Sequence, residues 1–214
     1  EQGELLYHNL GAEAAEYRSP LDFKVQGTRE LKAEDYLYEI KRLASPRIVS
    51  PILGHMGEYI QGLTDLAKGL KTKDEALKKE MQAKAGALTI KATDLPWLDM
   101  RKHELPGVKA LDDHTLEIRI NGKYPQFIYW LAMPFFAPVP WEADAFYSQK
   151  GFVDNNLVLD WWPVGTGPYM LTENDPNSRM VMSRNPNFRG EPYPAEGEEG
   201  DAAAGLLADA GKTM

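Results

Sequence analysis

Residues 164–190 read VGTGPYMLTENDPNSRMVMSRNPNFRG, a stretch in which turn chemistry and strand patterning coincide. Gly165 and Gly167 permit positive φ or a close backbone approach, and Pro168 fixes φ at the start of the next segment. Residues 170–173 then read as a strand, and residues 174–178, NDPNS, as a turn. Residues 179–184 return as a second strand, with Met180 and Met182 alternating against Arg179, Val181 and Ser183. Asn185-Pro186 ends the pairing, because proline brings no amide hydrogen to a ladder. The product is a β-hairpin. It is not a phosphate loop: GTG lacks the Lys-Ser/Thr of a nucleotide cradle, and Pro168 removes an amide hydrogen that such a cradle would aim at phosphate.

Residues 31–44 carry a helical pattern. Ala33, Tyr36, Leu37, Ile40 and Leu43 fall on one stripe, with Glu34 and Asp35 early and Lys41 and Arg42 late, as the helix dipole favours. Lys32 stands where an N-cap acceptor belongs and cannot accept a hydrogen bond. The cap must come from elsewhere or cost about 1 kcal/mol. Ser45-Pro46 closes this helix. Apolar spacing predicts a second helix over residues 51–68 and a third, charged one over residues 74–87, with Glu75 and Lys79 one turn apart. Residues 108–111 and 115–120 flank Asp112-Asp113-His114 as a half-exposed hairpin. An aromatic helix over residues 124–131, a strand over 137–139, a helix over 141–147 and a loop over 155–163 lead into GTGPY. Helices and strands without regular alternation indicate α+β.

A chain of 214 residues can bury roughly 70% of its unfolded surface, enough for a sizeable core. Its net charge of −8, without a clustered basic footprint, argues against a nucleic-acid partner. With no cysteine, disulfides, thiolate metal sites and cysteine nucleophiles are excluded. No apolar run approaches the roughly 20 residues of a membrane span. The first residues, EQGELLYHNL, read like the start of a cut piece, and the acidic, Ala/Gly-rich residues 195–214 read as if more chain followed.

The four histidines, His8, His55, His103 and His114, are not spaced to place two ligands on one helix face. They read as structural or surface groups. Asp112-Asp113 reads as turn chemistry. None of the serines sits in a G-x-S-x-G elbow, so no catalytic residue is assigned. Aromatic residues crowd residues 124–162, and most belong to packing, with a few left to wall a cleft.

The GTGPY strand followed by SRNP resembles the signature of the family 5 extracellular solute-binding proteins, the dipeptide- and oligopeptide-binding receptors of ABC importers. Three further blocks resemble that family in the same order: ELKAEDYLYEIKRLA from Glu30, PGVKALDDHTLEIRI from Pro106, and YPQFIYWLAMPFFAPVP from Tyr124. The resemblance implies an α+β, type II periplasmic-binding-protein-like fold with helices, β-hairpins and a small mixed sheet, of which this chain is part of the first lobe. Residues 1–30 would be an N-terminal insertion or surface excursion, 31–163 a small α+β subdomain, 164–194 the hairpin returning to the main lobe, and 195–214 a tail leading to a second lobe.

The resemblance further implies a non-catalytic, monomeric receptor without cofactor or metal. It would be periplasmic or lipid-anchored outside the cell, taking a peptide or other small solute and handing it to ABC permease subunits. It carries over ligand contacts to Ile52, after the Ser-Pro that follows the first helix, and to Met133, before the proline of LAMP. Gly165, Thr166 and Gly167 would lie along the cleft-facing strand, with Trp161 and Trp162 as walls. Two other classes are a hydrolase, which would need a histidine beside a serine or a metal, and a non-transport interaction module docking through the aromatic segment.

Overall fold

The computed structural model describes residues 19–22, 27–91, 94–149, 152–153 and 156–213. The chain divides into two units, Glu1–Val164 and Gly165–Met214. The excursion expected over residues 1–30 lies largely outside the described residues. Within it, Pro20–Asp22 forms one 3-10 turn.

In the first unit the leading helix forms as α1, Ala33–Arg42, and buries Leu37, Tyr38 and Ile40. It packs on a hairpin of β1, Val108–Asp112, and β2, Thr115–Ile118, paired antiparallel with Val108 opposite Ile118 and Ala110 opposite Leu116. That hairpin also supplies the cap that Lys32 cannot. The amide of Ala33 donates to the Asp113 carbonyl at 2.8 Å, and the amide of Lys32 donates to the Asp35 carboxylate at 2.9 Å. Lys32 Nζ meets the Asp113 carboxylate at 2.6 Å. Sequence and packing thus cooperate at the helix start, where side-chain identity alone predicts a weak end.

The helices expected over residues 51–68 and 74–87 are redistributed into α2, Leu53–Tyr59, and α3, Leu63–Ala85. The break falls at residues 60–62 because the backbone there serves the hairpin. Ile60 is extended and bridges Ile120, the Gln61 amide donates to Arg119 O at 3.1 Å, and Gln61 O accepts from the Gly107 amide at 3.1 Å. Gly62 then turns the chain with φ 82°, a left-handed conformation that glycine adopts at little cost. Gly69 keeps a helical conformation, so α3 runs on to Gly86, where φ is 62°. The ion pairs on α3 join Lys78 to Asp74 at 3.0 Å and Lys84 to Glu80 at 2.6 Å rather than Glu75 to Lys79.

The close approach at Gly107 leaves no space for a side chain. A Cβ there would run into Gln61 O and lie 2.9 Å from Gln61 N, both backbone atoms. Gly107→Ala is expected to cost about 2 kcal/mol, since the hairpin and the Ile60–Gln61 segment must move apart. The shift in urea midpoint of this chain measures it, and an unchanged midpoint would contradict the packing described.

The remaining elements of this unit are α4, Phe127–Trp130, a 3-10 turn at Pro134–Phe136, and α5, Trp141–Tyr147. The strand expected over residues 137–139 does not form. Val139 is flanked by Pro138 and Pro140, which have no amide hydrogens, so the segment stays extended without a ladder. Two apolar clusters result. The larger gathers Ile40, Met56, Ile60, Leu63 and Leu70, and the smaller gathers Phe146, Phe152, Leu157 and Trp162 beside α5.

In the second unit the predicted hairpin forms as β3, Tyr169–Asn174, and β4, Met180–Arg184, with a register shift between Leu171 and Glu173. Its turn is held by Asp175, whose side chain accepts from the Asn177 amide at 2.9 Å. At the open end Asn185 donates from its backbone to Pro168 O at 2.8 Å and from its side chain to Gly167 O at 2.9 Å. Residues 199–211 run as successive turns, and Pro192 bridges Thr213. Among the described residues the expected small mixed sheet takes the form of two separate antiparallel hairpins. No described helix is long and apolar enough to cross a membrane.

Candidate functional site

Ile52 caps the start of α2, half-buried against the larger cluster. Met133 stands between α4 and the 3-10 turn and is 44% exposed. The segments carrying these two residues meet one turn away from each. His55 of α2 lies 5.0 Å from the Trp130 ring of α4, and Trp130 Nε1 donates to Tyr124 Oη at 2.8 Å while Tyr124 stacks on Tyr59 at 4.5 Å. This aromatic cluster fixes the direction in which residues 131–133 leave α4. Ile128, Tyr129, Leu131 and Met133 emerge on the surface there, which gives the segment apolar area available to a partner molecule.

Trp161 and Trp162 behave differently. Trp162 is buried in the smaller cluster, and its carbonyl accepts from Tyr147 Oη at 2.8 Å, while Trp161 is half-buried on the edge of that cluster. Trp162 is thus a packing residue in this unit, with Trp161 carrying the accessible surface. In the second unit Gly165, Thr166 and Gly167 are exposed. Neither glycine has positive φ, and a Cβ at either would meet no close neighbour, so the local fold does not demand glycine at these positions.

The sequence pattern did not disclose a polar network that ties α1 to α5. Arg29 holds Asp35 and Glu142 together: its guanidinium reaches Asp35 at 2.5 and 2.9 Å and Glu142 at 2.6 and 2.7 Å. Hydrogen bonding to Asp35 raises the Arg29 pKa against the effect of burial, with Glu142 adding to it. A second knot centres on Asp144, which accepts from Tyr38 Oη at 2.7 Å, Trp97 Nε1 at 3.0 Å and Arg42 Nε at 3.0 Å. Burial and the Asp144 charge raise the Tyr38 pKa. Burial pushes the Glu39 carboxyl up to about 7, against the opposing pull of Arg42 at 3.4 Å. Only the i, i+3 spacing of Glu39 and Arg42 was visible beforehand, since Arg29, Trp97 and Asp144 reach α1 through tertiary contacts.

Two cavities open in the first unit. One, of about 310 Å³, is bordered by Leu31, Tyr36, Leu116, Leu131 and Phe136. The other, of about 290 Å³, is bordered by Arg42, Arg47, Trp97 and Leu159 among others. None of the seven residues carried over from the resemblance lines either cavity. Among the described residues no three His, Asp or Glu side chains converge as a metal site, and no serine hydrogen-bonds a histidine. His114 instead meets Glu30 at 3.1 Å on the surface.

A helix capped by a hairpin turn, an aromatic segment leading to LAMP and a GTGPY hairpin define a partial lobe of a solute-binding protein. Residues 26–198 match the model for bacterial extracellular solute-binding proteins, family 5 Middle, and the chain belongs to that family. It is 30% identical over 157 residues to the periplasmic oligopeptide-binding protein OppA of Salmonella typhimurium, covering 73% of this chain and 22% of that protein. With OppA of Escherichia coli the identity is 26% over 183 residues, covering 85% of this chain and 27% of the relative. The nickel-binding periplasmic protein of E. coli is 30% identical over 95 residues, covering 44% of this chain and 17% of the relative. The chain therefore spans about a quarter of the length of the two oligopeptide-binding relatives.

Proposed function

We propose that this chain is part of the first lobe of a periplasmic receptor that collects peptides or peptide-like solutes and delivers them to an ABC permease without catalysing a reaction. The family match over residues 26–198, together with relatives named for oligopeptide binding, carries this reading. Residues 31–163 act as a small α+β subdomain and residues 164–194 as the hairpin that returns the chain to the main lobe. The tail over residues 195–214 leads toward a second lobe. Met133 and Ile52 face the solute as apolar contacts, Trp161 borders it with Trp162 held behind, and the backbone of Gly165, Thr166 and Gly167 approaches it closely. The exposed apolar surface at residues 128–133 and the glycines that the local fold leaves unexplained support these assignments.

Such a receptor works by closing on its ligand. A solute that touches both lobes favours the closed state by its differential affinity, and one lobe alone has no such state to select. Titrating a mixed tri- to pentapeptide library into the intact receptor and into this chain, by calorimetry, is expected to give binding in the first case and little or none in the second. Met133→Asp in the intact receptor is expected to weaken binding by about tenfold, because a carboxylate replaces an apolar contact. Equally tight binding by this chain alone, or an unchanged affinity in the Met133 variant, would overturn the assignment.

A further inference from the structure

The cavity of about 290 Å³ in the first unit has a composition that the transport reading does not use. It lies at the seam between the two apolar clusters, with Leu95, Met100, Val158 and Leu159 on its walls and Arg42 and Arg47 among its few cations. Both arginine side chains are largely buried, at 18% and 17% exposure. Their partners differ in a way that matters. Arg47 is engaged at all three nitrogens: Nε and Nη2 meet Asp74 at 2.8 Å and Nη1 donates to the Pro96 carbonyl. Arg42 is not. Its Nε holds Asp144 at 3.0 Å and its Nη1 reaches Glu39 only at 3.4 Å, and among the described residues Nη2 has no hydrogen-bond partner. The two protons on Nη2 thus meet no protein acceptor among the described residues and stay open to solvent, available to an oxyanion that enters the cavity.

We propose that this seam cavity is a second binding site, for a small monocarboxylate with an apolar tail or ring, anchored by Arg42 Nη2. The volume lies at the small end of the ~300–1,000 Å³ typical of ligand pockets, which fits a compact molecule rather than a peptide chain. A single negative charge is indicated, because Asp144 and Asp160 border the same cavity and would repel a dianion such as phosphate. Asp144 already accepts three hydrogen bonds, from Tyr38, Trp97 and Arg42, so its charge is committed to the protein. Asp160 is exposed and stands as the uncommitted like charge.

Octanoate, with octanol as its uncharged counterpart, tests the site in this chain by two-dimensional NMR. The reporter is the Trp97 indole N–H, which donates to Asp144 at the cavity wall. Octanoate is expected to shift that resonance saturably, and octanol to bind about tenfold more weakly for want of the charge-assisted contact. Arg42→Gln removes the anchor but also strips Asp144 and Glu39 of a partner, so two exposed positions keep the test independent of folding. Ser148→Trp, at the end of α5 and on the cavity, is expected to abolish the shift by filling the space. Asp160→Asn is expected to tighten octanoate binding by about twofold, with octanol unaffected, as a screened like charge is removed. No saturable shift at millimolar octanoate, or a shift indifferent to both surface variants, overturns the proposal. Neither outcome bears on peptide binding by the intact receptor, which rests on other residues.

Discussion

Arg29→Ala is expected to lower the unfolding free energy of the first unit by about 3 kcal/mol, the lower end of the range for breaking a buried ion pair. The reasoning turns on what is left behind rather than on what the ion pair contributes. Asp35 and Glu142 are only 4% and 9% exposed, while the guanidinium that joins them is 40% exposed. Removing the arginine therefore leaves two carboxylates in poor contact with water, and water reaching the vacated space relieves part of the penalty. Both acids also sit in the first turns of their helices, Asp35 in α1 and Glu142 in α5, where the helix dipole favours acidic side chains. Lysine cannot replace arginine here, since a point charge cannot form two paired contacts at once. Urea unfolding followed by tryptophan fluorescence reads this unit alone, because the five tryptophans, Trp97, Trp130, Trp141, Trp161 and Trp162, all precede residue 165. Adding Glu142→Gln to Arg29→Ala is expected to restore part of the loss. A loss below about 1 kcal/mol would mean that the two carboxylates are solvated well enough without Arg29.

That network also marks the limit of what the sequence discloses. Local patterns carry the elements whose causes are local: the stripe of α1 reappears except at Tyr36, which is exposed while Tyr38 is buried, the turn of NDPNS forms where expected, and β1 pairs with a β2 that ends at Ile118. The redistribution of α2 and α3 has a different origin. Residues 51–68 have a helical pattern throughout, and only the docking of Ile60 and Gln61 against residues 107 and 119–120 makes a break favourable. Gly62 was a visible signal for that break, but glycine within a helical pattern is ambiguous until something requires positive φ. The same distinction applies to the candidate site. Met133 and Ile52 come from aligned motifs, and the structure adds the His55–Trp130 contact that draws their segments together. The seam cavity had no sequence signature because Arg42, Leu95 and Leu159 meet only through the tertiary fold.

The stability of this unit is expected to fall as pH rises from about 4.5 to about 7, with Glu39 as the cause. Its side chain is 8% exposed, and burial lifts its carboxyl to about 7 from an ordinary value of 4.5. The charges that face it are Arg42 on its own helix, which opposes the rise, and Asp144 on α5, which reinforces it. An acid whose pKa is raised on folding favours the folded state while it remains protonated. This contribution is complete below about pH 4.5 and disappears between there and pH 7, so the folded state is less stable by about 3 kcal/mol above pH 7 than below the unfolded value. Glu39→Gln mimics the neutral form at every pH. It is expected to match the parent chain near pH 4.5 and to exceed it by up to about 3 kcal/mol at pH 8, although it removes one member of an ion pair. The comparison between the two chains cancels other titrations, including that of His103, whose pKa is lowered by burial and acts in the opposite sense. Urea unfolding of both chains at half-unit steps from pH 4.5 to 8 decides the matter. A glutamine variant less stable than its parent at pH 8 would show that Arg42 keeps Glu39 ionised, and that the pair stabilises α1 as a conventional salt bridge.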